Sequence, residues 1–248
     1  MENLKDIKII ILAAGKGKRM QSDLPKILLK LNGKPMIKYI LKSAKKAFNQ
    51  KPIAIIGHNK ELVESELKDS CFYAIQEEQL GTGHAVFCAR EYCNDAKHII
   101  VLSGDQPLIS SETLKNLLKK HLKAKTKITF TTTEVSDFKD WRKGFLAFGR
   151  ILRKDGKITG IREYKDANEK EKLIKEVNAG SYAFDAKWLW KNLEKVKNNN
   201  IQNEYYLTDL LHLASKEGKK VEAIQIESHE ALGANTKEEL EILEKFAV

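Results

Sequence analysis

Residues 12–26 read LAAGKGKRMQSDLPK and directly follow the apolar run IKIII at residues 7–11. Glycine lets a backbone pass close to a ligand and adopt positive φ, so Gly15 and Gly17 after a buried strand favour a ligand-binding loop. Successive amides in such a loop form a concave anion site, and the stretch adds four cations. The pattern is neither a P-loop nor the dinucleotide motif G-x-G-x-x-G, because Met20 stands where the third glycine would be. A bare G-x-G also occurs in ordinary turns, but the cations favour a triphosphate site.

The bulk composition restricts the class of protein. A chain of 248 residues can bury a large core as one sizeable α/β domain or as two joined lobes. It has no apolar run near the ~18 residues of a membrane span, and its acidic N-terminus is unlike a signal peptide. The three cysteines form no C-x-x-C pair. This spacing favours free thiols and argues against a metal site built from cysteines. These observations predict a cytoplasmic protein that does not bind a membrane.

The net charge of +10 raises the alternative of nucleic-acid binding. The cations are mostly lysines spread along the chain, with only six arginines, and they are not interleaved with aromatic residues as in most nucleic-acid modules. Clusters such as Lys42, Lys45 and Lys46 fall on the polar faces of helical patterns. We therefore expect no nucleic-acid partner, with the charge helping to attract anionic substrates.

Short apolar runs alternate with helical patterns in the first half of the chain. The runs lie at residues 7–11, 53–57, 71–75 and 98–102, and the helical patterns at 35–48, 59–68, 82–93 and 110–123. This alternation predicts an α/β fold with a Rossmann-like, mostly parallel sheet flanked by helices. Ligands of such sheets bind beyond the carboxyl ends of the strands, where both the glycine loop and the segment SGD at 103–105 lie.

The pattern becomes more strand-rich after residue 125. We predict strands at 128–135, 176–185 and 221–226, a hairpin turning at Asp155-Gly156, and helices at 186–195, 205–217 and 236–246. The predicted organisation is one domain over 1–248. It has a nucleotide-binding lobe at 1–125, a mixed β lobe for a second substrate at 126–235, and a C-terminal helix at 236–248.

Residues 76–86, QEEQLGTGHAV, form a second candidate site. The amides of Gln76 and Gln79 can both donate and accept hydrogen bonds, and the glycines that follow allow close approach of a flat ligand. These properties suit the edge of a pyrimidine. The alternative is a plain helix N-terminus capped by Thr82.

Two oxygen-bearing side chains are candidate ligands of Mg²⁺. Asp105 follows a buried strand, and Asn235 lies just before the last helix. Mg²⁺ prefers oxygen ligands and retains waters beside substrate phosphates. The alternatives are a turn aspartate that caps the next helix, where Ser110 and Ser111 are better caps, and an asparagine that caps its own helix.

From about residue 7 to 240 the chain resembles the sugar-1-phosphate nucleotidyltransferases, in particular the uridyltransferases that form UDP-N-acetylglucosamine. The motifs that carry the likeness are L-A-A-G-x-G-x-R-M-x-S-x-x-P-K, Q-x-x-Q-x-G-T-G-H-A, SGD, EVNAG and LGANT. The resemblance implies the nucleotide-diphospho-sugar transferase fold and catalysis by Arg19, Lys26 and Asp105, with Mg²⁺ held by Asp105 and Asn235. The implied nucleotide contacts are Leu12, Ala13, Ala14, Gly15, Lys16, Gly17, Gln76, Gln79, Gly81 and Thr82. The implied sugar contacts are Ser103, Gly104, Gly149, Glu163, Asn178, Tyr206 and Thr208.

The chain departs from the family pattern at several positions, which leaves the sugar open. Lys18 stands where threonine is common, Ser103 where tyrosine is frequent, and Asn203 where a glycine is usual. The bifunctional bacterial members continue into a β-helix of hexapeptide repeats, which this sequence does not contain, so a monomer or weak dimer is expected. The substrates implied are UTP and N-acetylglucosamine 1-phosphate. The alternatives are another sugar 1-phosphate, or a nucleotide-sugar-binding protein without turnover.

Overall fold

The computed structural model describes residues 4–15, 17–20, 22 and 24–247. The strands are β1 (Ile7–Leu12), β2 (Lys30–Leu31), β3 (Lys34–Pro35), β4 (Ile53–Ile56), β5 (Phe72–Ile75), β6 (His98–Ser103), β7 (Ile128–Glu134), β8 (Arg150–Lys154), β9 (Lys157–Arg162), β10 (Glu176–Asp185) and β11 (Val221–Gln225). The α-helices are α1 (Met36–Phe48), α2 (Lys60–Leu67), α3 (Thr82–Cys88), α4 (Ser111–Ala124), α5 (Glu169–Lys172), α6 (Ala186–Leu193), α7 (Asp209–Lys216) and α8 (Lys237–Phe246). Within these residues, no helix is both long enough and apolar enough to span a bilayer.

One mixed sheet of nine strands organises the molecule. Its order is β11-β7-β10-β6-β1-β4-β5, and the β8–β9 hairpin attaches to β10. The pairs β1–β4, β1–β6, β4–β5 and β7–β11 are parallel, whereas β10 runs antiparallel to both of its neighbours in that order. The predicted α/β fold, with a mostly parallel first half and a mixed second half, is confirmed.

Strand β1 explains why the early apolar runs lack polar alternation. Ile9 and Ile11 pack in one apolar layer with α1 and α4, while Ile10 packs in the opposite layer with α3 and α6. All three residues are at most 1% exposed. A strand with helices on both faces buries every side chain, which gives a continuous apolar run.

The second half of the chain extends the same sheet. Strand β10 hydrogen-bonds directly to β6, with Tyr182 opposite Val101. The β8–β9 turn has φ of 51° at Asp155 and 73° at Gly156, as the predicted type I′ turn requires. The proposed division into lobes at residue 125 stays a prediction, since the sheet itself is continuous across that point.

Three of the predicted helices differ in detail from the structure. The prediction that a helix begins at 205 was wrong, because the Tyr205 backbone hydrogen-bonds to Leu80 and Gly83 and α7 begins only at Asp209. The helix predicted over 82–93 ends at Cys88 and is followed by a 3₁₀ turn, Arg90–Cys93. At α8, Thr236 is the N-cap as the pattern suggested, but the Glu239 carboxylate accepts from the Asn235 amide rather than from Thr236.

Candidate functional site

A cleft of about 320 Å³ opens at the carboxyl ends of the parallel strands. The strand register creates it, because Leu12 at the end of β1 lies opposite Ser103 at the end of β6, and the glycine loop and the SGD segment both follow there. Gly104 makes the approach close, since a side chain at this position would meet the Leu12 carbonyl at 2.7 Å. The cleft is lined by Leu12, Ala13, Ala14, Gly15, Lys26, Ile27, Gln76, Gln79, Gly81, Thr82, Ala85, Ser103, Asp105 and Glu204.

The glycine loop folds its backbone directly over Lys26. Gly17 has φ of +58°, and a Cβ there would lie 2.7 Å from the Lys26 Cβ. The loop is anchored below by Met20, which is 2% exposed, while Arg19 is exposed to solvent. Lys16, a predicted phosphate contact, and the Lys18 side chain lie outside the described parts of the structure. The loop therefore sets the position of the Lys26 side chain as well as presenting its own amides.

Lys26, Asp105 and Asn235 meet although they lie far apart in the sequence. The Lys26 Nζ donates to Asp105 Oδ2 at 2.5 Å and to Asn235 Oδ1 at 2.9 Å. The Lys26 and Asp105 side chains are only 12% and 25% exposed. The cap of α8 is Thr236, so Asn235 is free to turn its amide oxygen to Lys26. The alternative interpretation of Asn235 as a helix cap was therefore wrong.

The arrangement fits a divalent cation coordinated by few protein ligands. The carboxylate and amide oxygens of Asp105 and Asn235 converge on one cationic centre, which in this structure is the Lys26 ammonium. The described residues contain no cluster of three or more His, Cys, Asp or Glu side chains at metal-binding distances. Mg²⁺ commonly takes one or two protein oxygens and completes its octahedron with waters and phosphate oxygens.

The other wall of the cleft is built around Gln76. Its backbone amide continues the sheet by donating to Ile56, and its side chain is 3% exposed. The Gln76 Nε2 donates to the Gly81 carbonyl at 3.1 Å. Gly81 precedes α3 with φ of +108°, and a Cβ there would lie 2.7–2.9 Å from Tyr205 and Glu204.

Thr82 does not cap α3, as the alternative interpretation required. It is the first helical residue, and its Oγ1 accepts a hydrogen bond of 3.0 Å from the Leu207 amide. The side chain therefore ties the LGTG loop to the segment that precedes α7. Gln79 is held more loosely, with its Nε2 3.4 Å from the Gln76 carbonyl oxygen.

Glu163 and Thr208 form the core of a neighbouring polar cluster. The Thr208 hydroxyl donates to Glu163 Oε1 at 2.8 Å. Burial raises the pKa of the Glu163 carboxyl above its ordinary value, and nearby Asp209 acts in the same direction. Gly149 lies against this carboxylate, and a Cβ there would meet Ile161 Cγ2 at 2.5 Å. Without the family resemblance, Glu163 would be interpreted as part of a surface ion pair, which is not its environment.

Asn178 and Tyr206 are positioned by hydrogen bonds within the protein. The Asn178 Nδ2 donates to the Tyr182 hydroxyl at 2.6 Å, and its backbone amide donates to the Gly149 carbonyl at 2.8 Å. Tyr206 is 6% exposed, and its hydroxyl accepts from Gln202. Both side chains are therefore held in fixed orientations beside the Glu163 cluster.

The structure brings together most, but not all, of the predicted site residues. Among the predicted sugar contacts, Ser103 lines the 320 Å³ cleft. Gly149, Glu163, Asn178, Tyr206 and Thr208 form the adjoining cluster and do not line that cleft. Gly17 and Asn235 contact Lys26, and Gly104 adjoins Asp105, but none of these three lines the cleft. Arg19 is exposed and is not among the lining residues either.

Sequence reasoning missed several residues that shape the site. Glu204 lines the cleft, and burial raises the pKa of its carboxyl. Arg150 is fully buried, and its guanidinium donates to the carbonyls of Phe145, Leu146, Phe148 and Lys172. It therefore fixes the segment that ends at Gly149. The only sequence signal for either residue was its place inside a family-like string, because their contacts join distant segments.

Comparison with a solved structure shows the class of fold. The crystal structure of a UDP-glucose pyrophosphorylase complexed with UDP-glucose superposes with a TM-score of 0.75, covering 96% of this chain and 97% of that chain at 22% identity. The fold is thus that of nucleotide-diphospho-sugar transferases. The chain belongs to the MobA-like NTP transferase domain family, whose sequence profile matches residues 9–165.

Relatives of higher identity extend the match over nearly the whole chain. The bifunctional protein GlmU of Clostridioides difficile (strain 630) is 43% identical over 243 residues, which are 97% of this chain and 51% of that protein. The bifunctional protein GlmU of Caldanaerobacter subterraneus subsp. tengcongensis is 39% identical over 243 residues, which are 98% of this chain and 52% of that protein. The chain therefore spans about half the length of these curated relatives. The family resemblance carried by the sequence motifs is confirmed.

Proposed function

We propose that this chain transfers a uridylyl group from UTP to N-acetylglucosamine 1-phosphate. A phosphate oxygen of the sugar phosphate forms a bond to the α-phosphorus of UTP, and the bond from that phosphorus to the bridging β-phosphate oxygen breaks. The products are UDP-N-acetylglucosamine and pyrophosphate. Such a reaction needs positioning and charge neutralisation rather than a covalent nucleophile.

The observation that carries the proposal is the convergence of Lys26, Asp105 and Asn235 beside the glycine loop. The family resemblance implies that Asp105 and Asn235 bind Mg²⁺ and that Lys26 contacts the α-phosphate. They lie at the carboxyl ends of β1 and β6, where ligands of parallel sheets bind. A lysine–carboxylate ion pair alone also occurs in purely structural roles. Here the same ammonium also donates to the Asn235 amide oxygen at 2.9 Å, so two oxygen ligands from distant segments meet at one point.

Each side of the cleft has a distinct role in this proposal. The amides of the glycine loop bind the β- and γ-phosphates, with Arg19 and Lys16 holding the pyrophosphate as it leaves. Lys26 stabilises charge that develops on the α-phosphate. The apolar and amide wall formed by Gln76, Gln79 and Gly81 takes the uracil, and the Glu163 cluster takes the hydroxyls of the sugar.

Asp105 and Asn235 would hold the Mg²⁺ ion. When bound, the ion would neutralise phosphate charge and orient both substrates. The protein itself holds the Asp105 and Asn235 side-chain oxygens close together. Asp105 follows β6, and the Asn235 backbone amide donates a 2.6 Å hydrogen bond to the Glu239 carboxylate.

Pyrophosphate release from UTP and N-acetylglucosamine 1-phosphate tests the proposal. Asp105→Asn is expected to lower kcat/KM by about 100- to 1,000-fold, equivalent to ~3–4 kcal/mol of lost transition-state stabilisation. Asp69→Asn is the matched control, since Asp69 is exposed in the 3₁₀ turn Lys68–Ser70, and it should retain wild-type rates. Rates of Asp105→Asn within a fewfold of wild type would refute the assignment.

The identity of the sugar needs its own comparison. Ser103 provides a small hydroxyl at a position where the family commonly has an aromatic ring, and it donates to the Gly180 carbonyl at 3.3 Å. We therefore include glucose 1-phosphate beside N-acetylglucosamine 1-phosphate as acceptors. A higher kcat/KM with glucose 1-phosphate would replace the proposed sugar while retaining the reaction. Tight UDP-sugar binding with no turnover of any acceptor would instead support a binding protein.

A further inference from the structure

We propose that two copies of this chain associate through the outer edge of β5, as an antiparallel pair of strands centred on Ala74. The outer edge is the side of β5 that faces away from β4. Strand β5 ends the sheet order, and no strand in the described part of the chain pairs with that side. The proposal concerns the assembly of the protein and does not depend on the reaction in the cleft.

The hydrogen bonds between β5 and β4 show which backbone groups point outwards. The Phe72 amide donates to the Pro52 carbonyl at 2.8 Å. In a parallel pair, alternate residues of a strand hydrogen-bond to the same neighbour, so Phe72 and Ala74 face β4. Tyr73 and Ile75 therefore direct their N–H and C=O groups to the outer edge. A row of such groups is a template for pairing with another strand.

Strand β5 lacks the features that commonly keep a sheet edge from pairing. Its sequence FYAI has no charged residue and no proline, and its register with β4 has no bulge. Phe72 is 50% exposed and Ile75 is 40% exposed. At the opposite end of the sheet order, β11 carries Glu222, which forms ion pairs with Lys120 and Lys220. The two ends therefore differ, and β5 is the one suited to pairing.

The outer edge of β5 is complementary to itself. With a two-fold axis at Ala74, Tyr73 of each copy lies opposite Ile75 of the other. Each of these pairs exchanges two N–H···O bonds, and the two Ala74 residues form the closely spaced pair between them. Aromatic and β-branched side chains stabilise each other across strands, so Tyr73 and Ile75 also match in side-chain type. A second copy thus satisfies the outward donors and acceptors, as an isologous interface requires.

The charges at the two ends of β5 favour the antiparallel arrangement. The segments around its beginning are net positive, since two lysines outweigh one aspartate: Lys51, Lys68 and Asp69. Lys51 lies directly on the strand, with its Nζ 4.6 Å from the centre of the Phe72 ring. The residues at its end are net negative, since two glutamates outweigh one lysine: Glu77, Glu78 and Lys60, which pairs with Glu77. Antiparallel pairing places the positive end of each copy beside the negative end of the other, whereas parallel pairing would join like charges.

Sedimentation velocity of the full chain, at protein concentrations from about 1 µM to about 1 mM, tests the association. We expect a monomer–dimer equilibrium with a dissociation constant of about 10–300 µM, as is typical of small interfaces. Ile75→Pro removes the outward N–H and no bond to β4. It should weaken dimerisation on the order of 30-fold, because each dimer loses two hydrogen bonds. Ile75→Val keeps this N–H and a β-branched side chain, and should stay within about threefold of wild type.

Cross-linking of the wild-type chain keeps the proposal testable if Ile75→Pro does not fold. A carbodiimide joins a lysine to a carboxylate in contact with it, and a mixture of isotope-labelled and unlabelled chains distinguishes links between copies from links within one. We expect links between copies to join Lys51 to Glu77 or Glu78. The ion pair of Lys120 with Glu222 is the control, and should be linked only within one chain.

Three outcomes would overturn the proposal. The first is a chain that stays monomeric up to about 1 mM. The second is dimerisation of folded Ile75→Pro as tight as that of wild type. The third is a set of links between copies that joins Lys120 to Glu222 as often as Lys51 to the two glutamates. Neither measurement uses turnover, so a failure of the proposed reaction leaves the result intact.

Discussion

The Lys26 ammonium donates a 2.5 Å hydrogen bond to the Asp105 carboxylate, joining residues 79 positions apart. The same ammonium donates to Asn235 Oδ1 at 2.9 Å, so one cation contacts both proposed metal ligands. We expect a divalent ion that uses these two oxygens to displace the ammonium, because two cations repel each other in one small site. Lys26 would then be released towards the phosphates, where the proposed reaction needs it.

Replacement of Lys26 therefore has two opposite effects. Lys26→Met is expected to raise the affinity for Mn²⁺ in the absence of nucleotide by on the order of tenfold, because no fixed cation competes for the two oxygens. It should also slow turnover by about 100-fold or more, since a charge at the α-phosphate is lost. Electron paramagnetic resonance of free Mn²⁺ measures the first effect.

The exposed Lys34 supplies a control for the change in net charge. Lys34→Met should leave the Mn²⁺ affinity within about twofold of wild type, because the charge of an exposed side chain is screened by water and salt. Equal or weaker Mn²⁺ binding in Lys26→Met than in wild type would contradict the competition between ammonium and metal.

A matched pair of glycine substitutions tests the geometry of the loop. Gly17→Ala places a Cβ 2.7 Å from the Lys26 Cβ at φ of +58°, and should reduce the free energy of unfolding by about 1–2 kcal/mol. Gly15→Ala meets no atom within 4 Å, and its stability should stay within about 0.5 kcal/mol of wild type. Urea denaturation measures both. Equal stabilities of the two variants would show that the loop is not packed as described.

Glu163 is expected to affect the sugar substrate more than the nucleotide. Glu163→Gln keeps the shape of the side chain but replaces one carboxyl oxygen by an amide nitrogen, so the KM for the sugar phosphate should rise by about tenfold or more. The KM for UTP should change by less than about twofold. Thr208→Val removes the 2.8 Å hydrogen bond that orients the Glu163 carboxyl group. It should also raise the KM for the sugar phosphate, but by a smaller factor. A rise confined to the KM for UTP would place Glu163 at the nucleotide instead.

The buried His121 predicts a loss of stability in acid. Burial, followed by the neighbouring His98, lowers the pKa of His121 from 6.5 to about 4. Between these two pH values the unfolded chain binds a proton that the folded chain does not, so stability increases with pH across this window. The contribution lost on acidification from pH 7 to pH 4 is about 3 kcal/mol.

Urea denaturation at pH 7 and pH 5 checks this prediction. The difference between the two free energies of unfolding should shrink in His121→Gln and remain in His58→Gln, because His58 is exposed. Comparing each variant across pH cancels the cost of replacing a core residue. An undiminished pH dependence in His121→Gln would exclude His121 as its source.

Local pattern was sufficient for most of the fold. Strands β1, β4 and β6 were recognisable because burial on both faces leaves no polar alternation. Strand β5 was recognisable from its apolar run although it is a partly exposed edge strand, and the Asp155-Gly156 turn because its positive φ values favour those residue types. The start of α7 was not recognisable, since residues 205–208 have an acceptable helical pattern. Their backbone instead satisfies its hydrogen bonds with Leu80 and Gly83, a contact that no local window contains.

The sequence by itself determined the order of most strands and helices along the chain and the family to which the chain belongs. Those properties depend on residue type and short spacing, which are local. Only the tertiary structure decided that Lys26 faces Asp105 and Asn235, which lie 79 and 209 positions away in the sequence. This arrangement depends on where the parallel strands β1 and β6 end relative to one another, and hydrogen bonds of 2.5 and 2.9 Å between such distant segments are set by packing rather than by sequence proximity.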